Sequence, residues 1–594
     1  MDPPSTVIAS LHTTLYTAFK TAIERLYGPL ALDPSLDIQR ATRPEYGDYQ
    51  YNGALKLAKH TGQKPMVLAQ TFINWLMTDP IYADLFESLT PSGPGFINIC
   101  FNRHILEHHL AQLAQDPHLG QYKTTHPCVT VVDYGGANVA KEMHVGHLRS
   151  AIIGDAIVRI LGYLGHKVIR QNHLGDWGTQ FGMIIEWLIE THWLPQSNVP
   201  YHALNQAYQT AKQRFDADPD FATRARARVV QLQRGDAETR HLWQALVTHS
   251  LQYFQKTYDQ LGVLLSPDDV KGESFYNPLL KPLCQKLIEQ HHAVESQGAY
   301  VIFLDHFFDP QGQPLPLMIQ KKDGGYLYAT TDLAAIEYRA HTLKASRIIY
   351  VVDARQKQHF DMVFAAAYKT QLVKPPLRLE HLAYGAILGD NRKPFKTRSG
   401  DTIKLDALLQ EAQARALQMA VDKNPDATPE ALQSIAQIIG IGALKYADLR
   451  NDKIKDYVFT WEKMLALDGN TAPYLQNAYV RIQSIFRKGN IDITALSYLK
   501  QEIQLQDPTE RALSIELLCF QETLHAIGKT LHIHTLCDYL YTLAGCFHRF
   551  YEACPVLTSQ DHTQRNTRLV LCDLTARTLK TGLNLLGIAI LEKM

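Results

Sequence analysis

Between residues 128 and 172 the sequence spells out one complete strand, helix and strand. Val129-Thr130-Val131-Val132 is a β-branched run of the kind that fills a parallel strand covered on both faces. Leu148, Ile152, Ile153, Ala156, Ile157, Ile160, Leu161 and Leu164 then fall on one helical stripe, Gly165 stands where the helix should stop, and Val168-Ile169 opens a second strand. A crossover helix of this length joins parallel strands, which commits the chain to an open α/β sheet. Such sheets bind ligands at the carboxyl ends of their strands, so the residues after Val132 are where chemistry is to be sought.

The remainder organises around that unit. At 594 residues, and roughly 150 residues per domain, about four domains are expected. Residues 1–125 read as α+β, with helical spacing in Leu11, Leu15, Phe19 and Ile23 and a Pro91 to Gly95 turn before the apolar run Phe96 to Ile99. Residues 126–390 form a Rossmann-type parallel-sheet core with a polar helical insertion at about 185–270; strands are expected to resume at Tyr300 to Leu304, Tyr326 to Ala329 and Arg347 to Val352. Residues 391–426 read as a loop and connecting segment. From 427 to 594 the apolar spacing is helical throughout, as in Ile435, Ile438, Ile439, Ile441 and Leu444 or Leu513, Leu517, Phe520 and Leu524, predicting an all-α bundle. The fold class is therefore multidomain α/β.

Lys plus Arg and Asp plus Glu both number 59, so no global field draws in a polyanion and any nucleic-acid partner must meet a local basic patch. The start of the chain lacks a signal-peptide pattern and no apolar run reaches membrane-spanning length, so a soluble, cytoplasmic protein is expected. The eight cysteines include no C-x-x-C pair and read as reduced, mostly buried thiols. His104, Glu107 and His108 have helical i, i+3, i+4 spacing but no further ligand nearby, which suits a solvated helix face better than a metal site. The basic stretch Arg224 to Arg240, with Arg226, Arg228 and Arg234, is interspersed with acids and reads the same way.

The first strand runs into Asp133-Tyr134-Gly135-Gly136-Ala137-Asn138-Val139-Ala140-Lys141-Glu142-Met143-His144-Val145-Gly146-His147. This places His144 and His147 at the first turn of the amphipathic helix, where free backbone N–H groups and the helix dipole favour a phosphate. Two imidazoles there can donate to phosphate oxygens, and Gly146, lacking a Cβ, leaves room for a flat base. These residues resemble the HIGH signature of class I aminoacyl-tRNA synthetases, and the longer string resembles the arginyl-tRNA synthetase family. Asn138 to Lys141, Leu148-Arg149-Ser150 and the stretch from Asn172 to Gly182 are similar to that family, as are Gly47-Asp48-Tyr49, Pro94 to Asn98, Gly442 to Leu449 and Gly469 to Tyr474. The resemblance covers essentially the whole chain.

It implies an ATP-dependent enzyme that converts L-arginine to arginyl-adenylate and transfers it to the 2′-hydroxyl of the terminal ribose of tRNA(Arg), with Mg²⁺ accompanying ATP; the sequence itself offers no carboxylate cage for a dedicated metal site. It implies an arginine pocket in which Glu273 and Asp332 face the guanidinium, Asn138 and Gln356 hold the amino-acid end and Tyr328 shapes the wall. A guanidinium is a rigid planar fork that planar acceptors match. ATP falls to His144, Gly146, His147, Lys141, Gly175 and Asp176. The second class I signature, KMSKS, is degenerate here as Lys393-Pro394-Phe395-Lys396-Thr397-Arg398-Ser399; Lys396 and Arg398 are its phosphate candidates, and Lys141 matches the lysine that compensates for the missing one. tRNA recognition falls to a D-loop-contacting N-terminal domain and an anticodon-binding bundle, where Tyr474, Tyr479, Arg481, Arg487 and Lys488 combine aromatic faces with charge. A monomer whose adenylation waits for tRNA is expected. The alternatives are a catalytically silent tRNA-binding paralogue and a class I synthetase for another amino acid.

Overall fold

The computed structural model describes residues 10–28, 36–193, 201–389, 403–492 and 502–593. In the N-terminal region, strands β1 (Ile38–Arg40), β2 (Tyr49–Tyr51), β3 (Phe86–Ser92) and β4 (Phe96–Phe101) form an antiparallel sheet of order β1-β2-β4-β3. Helices α1 (Leu11–Tyr27), α2 (Ala54–Thr61) and α3 (Pro65–Thr78) bury their apolar stripes against it, with the Phe19 and Tyr51 rings stacked at 4.4 Å. Helix α4 (Arg103–Gln115) leads out of this unit.

The β-branched run becomes β5 (Val129–Asp133), whose Val131 and Val132 are fully buried. Helix α5 (Val145–Tyr163) and β6 (Lys167–Gln171) follow, with Gly165 at φ 89°, a left-handed conformation that turns the chain out of the helix. Four helices, α6 (Thr179–Thr191), α7 (Tyr201–Ala217), α8 (Pro219–Arg234) and α9 (Ala237–Leu261), make the insertion; α10 (Glu273–Glu289) returns the chain to the core.

The region expected to resume the sheet does so only in part. Strands β7 (Val294–Ser296), β8 (Ala299–Ile302) and β9 (Leu317–Gln320) form a separate antiparallel sheet. The strand expected at Tyr326 to Ala329 is instead the start of helix α11 (Tyr328–Glu337), because Ala329, Thr330, Leu333 and Ala334 are buried at helical spacing and tertiary burial overrides the aromatic β preference. Strand β10 (Arg347–Asp353), helix α12 (Lys357–Lys369) and strand β11 (Arg378–Tyr384) complete the core. All four strands of the central sheet are parallel, in the order β11-β10-β5-β6. Strand β11 went unrecognised because its alternating Arg378-Leu379-Glu380-His381-Leu382 pattern belongs to a half-exposed edge and not to a buried run.

Strand β12 (Ile387–Leu388) leaves the core to pair in parallel with β13 (Tyr457–Val458). The segment read as a connector contains α13 (Leu405–Lys423), which packs along α14 (Pro429–Leu449). Helices α15 (Trp461–Leu465), α16 (Ala472–Gly489), α17 (Pro508–Leu518), α18 (Phe520–Thr530), α19 (His534–Ala553) and α20 (His562–Leu585) build the bundle. All eight cysteines are free; Cys100 and Cys128 are half-buried and the other six buried.

Ion pairs and hydrogen bonds, partly or fully buried, weld these units together. Arg40 donates to both carboxylate oxygens of Glu516 at 3.1 and 2.8 Å, Tyr49 donates to Glu522 at 2.8 Å, and Asp48 accepts from Arg511 at 2.7 Å. The Gly47-Asp48-Tyr49 motif is thus a joint between the N-terminal unit and the bundle. On α5, the fully buried Arg149 pairs with the fully buried Asp448 of α14 and donates to the Gly385 carbonyl at 2.7 Å.

Candidate active site

A cleft of about 400 Å³ opens at the carboxyl ends of β5 and β10. From β5 the chain proceeds to β6 on one side, and from β10 to β11 on the other, so the connecting segments diverge and leave a crevice between them. Asp133 and the end of β10, Tyr350 to Asp353, form its floor, and Asn138, His144, Gly146, His147, Gly175, Glu273, Tyr328, Asp332 and Gln356 all line it. Nine residues scattered over more than two hundred positions of sequence therefore meet in one cavity.

The histidines are fixed by the helix they begin. His144 is the N-cap of α5; its Nδ1 accepts from the Gly146 N–H at 3.0 Å, while His147 Nδ1 accepts from the His144 N–H at 3.0 Å. Both Nδ1 atoms are acceptors, so both neutral rings carry the proton on Nε2. Burial holds His147 at about 3 and also lowers His144, which the Arg355 charge depresses further. The rings lie 3.9 Å apart, compatible with neutral imidazoles and not with two cations. Gly146 is required here for a reason absent from its sequence reading: a Cβ would lie 2.8 Å from His144 Cε1 and displace the ring.

Asn138 and Gly175 bridge β5 and β6 just beyond the sheet, where the Val139 N–H donates to the Gly175 carbonyl at 3.1 Å. A Cβ on Gly175 would overlap Asn138 Oδ1, so this glycine makes room for the Asn138 side chain. Lys141 stands apart. Its ammonium lies 4.8 Å from the centre of the Tyr208 ring on α7, away from the cleft lining. The turn that carries it is braced by the insertion, since Ser250 accepts from the Ala140 N–H and Tyr201 donates to the Lys141 carbonyl. Asp176 is likewise off the cavity wall: its buried carboxylate accepts from Ser274 N–H at 2.8 Å and Ser274 Oγ at 2.6 Å, securing the N-terminus of α10. Its role visible here is to hold Glu273, the first residue of α10.

Glu273 and Asp332 supply the negative charge. Burial pushes the Glu273 carboxyl up to about 7, and the Asp176 and Asp332 charges add to the rise. Asp332 and Tyr328 share one face of α11 at i, i+4 spacing, and the far end of that helix is anchored by the fully buried Arg339. Its guanidinium donates to Asp133 at 2.8 Å and Gln171 at 2.6 Å, at the ends of β5 and β6. His359 went unnoticed in the sequence. It lines the cleft, three residues after Gln356, with Nε2 2.6 Å from Asp332 Oδ2; its i, i+3 relation to Gln356 at the start of α12 was the available signal.

Lys396 and Arg398 lie outside the described residues. The chain that follows them is pinned to the histidine motif: the Val145 N–H donates to the Ile403 carbonyl, the Leu405 N–H to the Met143 carbonyl, and Lys404 pairs with Glu142 at 2.8 Å. In the bundle, Arg481 and Lys488 are exposed and Tyr474 half-buried, its ring 5.5 Å from Tyr541 and 5.2 Å from His548. Tyr479 is core, with its hydroxyl on Glu592, whereas Arg487 is exposed and donates to the Glu592 carbonyl. Arg224 and Arg228 of the insertion are engaged by Glu186 and Glu190. Of the His104, Glu107 and His108 set, Glu107 accepts from the Leu505 N–H and His104 meets Asp84.

A parallel nucleotide-type sheet with a twin-histidine helix start at its switch point, an inserted helical layer and a C-terminal bundle is the architecture of the class I tRNA synthetases. The family model described as tRNA synthetases class I (R), catalytic domain, matches residues 109–461. Those described as Arginyl tRNA synthetase N terminal domain and DALR anticodon binding domain match 13–101 and 475–594. The chain belongs to the arginyl-tRNA synthetase family. It is 46% identical over 588 residues to an arginine–tRNA ligase of Synechococcus sp., covering 97% of this chain and 98% of the relative, and 46% identical over 557 residues to that of Escherichia coli (strain K12), covering 94% and 95%. The arginyl-tRNA synthetase structures from Plasmodium falciparum and Thermus thermophilus superpose with TM-scores of 0.83 and 0.80, at 29% and 26% identity; each comparison covers 98% of this chain, and 99% and 100% of the other.

Proposed function

We propose that this cleft activates L-arginine with ATP and passes the arginyl group to the 3′-terminal ribose of tRNA(Arg). The observation that carries the reading is the placement of two carboxyl side chains, Glu273 and Asp332, in the same cavity as the two imidazole donors. The acids take the guanidinium, whose planar donors match carboxylates, while Asn138 and Gln356 hold the α-amino and carboxylate end and Tyr328 closes one wall. The arginine carboxylate attacks the α-phosphorus in line, the bond from that phosphorus to the α,β-bridging oxygen breaks, and pyrophosphate leaves.

Negative charge builds on phosphate oxygens in that step, and the Nε2–H groups of His144 and His147 are preorganised donors for it. No protein nucleophile is required. Lys141 would reach the phosphates by leaving the Tyr208 ring, with Lys396 and Arg398 as its partners, and Gly175 and Asp176 serve by holding Asn138 and Glu273. Mg²⁺ would enter as the ATP complex; among the described residues no group of three or more His, Cys, Asp or Glu side chains could hold a metal, and no step is assigned to the ion. In the second step the ribose 2′-hydroxyl attacks the adenylate carbonyl and AMP leaves.

The RNA would lie across both ends of the chain, with the exposed Arg481 and Lys488 and the Tyr474 ring offering charge and stacking surface. Because the N-terminal unit is already welded to the bundle, both RNA-facing parts are held by one chain, and a monomer suffices. No helix among the described residues is long and apolar enough to cross a membrane, and we assign the protein to the cytoplasm. The test is a charging assay on a mixed tRNA pool with all twenty amino acids offered. Arginine alone should be esterified, and Asp332→Ala should raise the arginine requirement sharply while tRNA binding persists. Charging with another amino acid, or tRNA binding without any product, would overturn the reading.

A further inference from the structure

His359 has no part in the motifs that define the cleft, yet it touches Asp332, one member of the acidic pair. It sits on the first turn of α12, and its side chain, 13% exposed, faces the Asp332 side chain, 16% exposed, across 2.6 Å between Nε2 and Oδ2. The ring packs against Tyr328 at 4.6 Å and Phe360 at 5.1 Å, so its orientation is set by two neighbours before the carboxylate is met. A carboxylate can only accept, so Nε2 is the protonated nitrogen.

The rotation that turns an aspartate carboxyl about its last bond is broad and roughly two-fold, and nothing on α11 itself stops it. A planar guanidinium binds well only when an acceptor plane is already aligned with it. We propose that His359 is a positioning residue of the guanidinium pocket: by holding Oδ2 from a rigidly packed ring it fixes the plane of the Asp332 carboxylate and leaves Oδ1 directed to the cationic substrate. Among the described residues no other group takes Oδ1. The inference rests on the arginine reading of the cleft and deepens it, because it makes selection of a planar cation depend on the orientation of the charge as well as on its presence.

Gln and Asn separate this role from simple packing, since the Gln amide nitrogen can reach the place of Nε2 whereas that of Asn reaches only the place of Nδ1. His359→Ala and His359→Asn should each raise KM for arginine about tenfold with kcat at saturating arginine and KM for ATP little changed, and His359→Gln should return KM to within about threefold of the parent. Thermal melting of all three and arginine KM of Asp332→Asn are measured in parallel. Equal KM values for the Gln, Asn and Ala variants, or a KM that follows melting temperature across the series, would overturn the positioning role. An Asp332→Asn enzyme with raised KM alongside an unaffected His359→Ala enzyme would overturn it while leaving the pocket reading intact, whereas an unchanged KM in Asp332→Asn would remove the pocket reading itself.

Discussion

The Glu273 carboxyl offers a direct test of the acidic pocket, because a group that titrates at about 7 in the empty protein must be ionised to meet a guanidinium. By simple titration roughly a tenth of the molecules carry the carboxylate at pH 6, about half at pH 7 and most of them at pH 8. If arginine binds only the ionised form, KM for arginine falls roughly tenfold between pH 6 and pH 8, and binding at pH 7 expels about half a proton per arginine. His147, held at about 3, stays neutral throughout this range. The assay is arginine KM at a series of pH values with tRNA present, joined to calorimetry in two buffers of different ionisation heat. Glu273→Gln should flatten the profile while weakening arginine binding. Stability gives the opposite sign: with the folded value raised from 4.5 to about 7, the folded protein keeps a proton the unfolded chain has released. Stability from this group is therefore complete below pH 4.5 and lost as pH rises through 7, by about 3 kcal/mol at most. The apo Glu273→Gln protein should be more stable than the parent at pH 8 and equal to it below pH 4.5. A flat KM profile in the parent together with buffer-independent binding heats would refute the reasoning.

Three further outcomes follow from the geometry. His147→Ala removes one preorganised phosphate donor and should lower the adenylation rate about 100-fold, with tRNA affinity unchanged in filter binding; equal loss of both would point to misfolding. Asp448→Ala strands the fully buried Arg149 without its partner, so urea unfolding should show a loss of about 3–5 kcal/mol, whereas a loss below 1 kcal/mol would mean that water reaches the guanidinium. Arg481→Ala, on the exposed face of α16, should weaken tRNA binding and flatten its salt dependence by about one unit of slope, while Tyr479→Phe, with its ring in the core, should leave tRNA affinity unaltered; the reverse order would misplace the RNA surface.

Much of this was legible in the residue order because it is local. The β-branched run at 129–132, the stripe from Leu148 to Leu164 and the histidines at the helix start depend on periodicity and capping, which operate within a few residues, and each forms where the pattern places it. The strand expected at Tyr326 failed for the complementary reason. Its residues carry β preference, but the distant surface they pack against wants a helix whose Tyr328 and Asp332 face the cleft.

Burial partners are invisible in one dimension, and they decided the rest. Asp176 reads as a nucleotide ligand, and its carboxylate braces α10 in the fold; Tyr479 reads as a stacking platform and its ring is buried; Asp48 and Tyr49 read as part of an RNA-facing unit and also join two domains. Residue order alone determined the sheet type, the helix that begins with His144, and the supply of planar acceptors for a cation. Only the tertiary structure decided which acids share a cavity, that burial lifts the Glu273 carboxyl to about 7, and that His359 meets Asp332, because desolvation and a hydrogen bond between residues 27 positions apart exist only once the chain has closed around them.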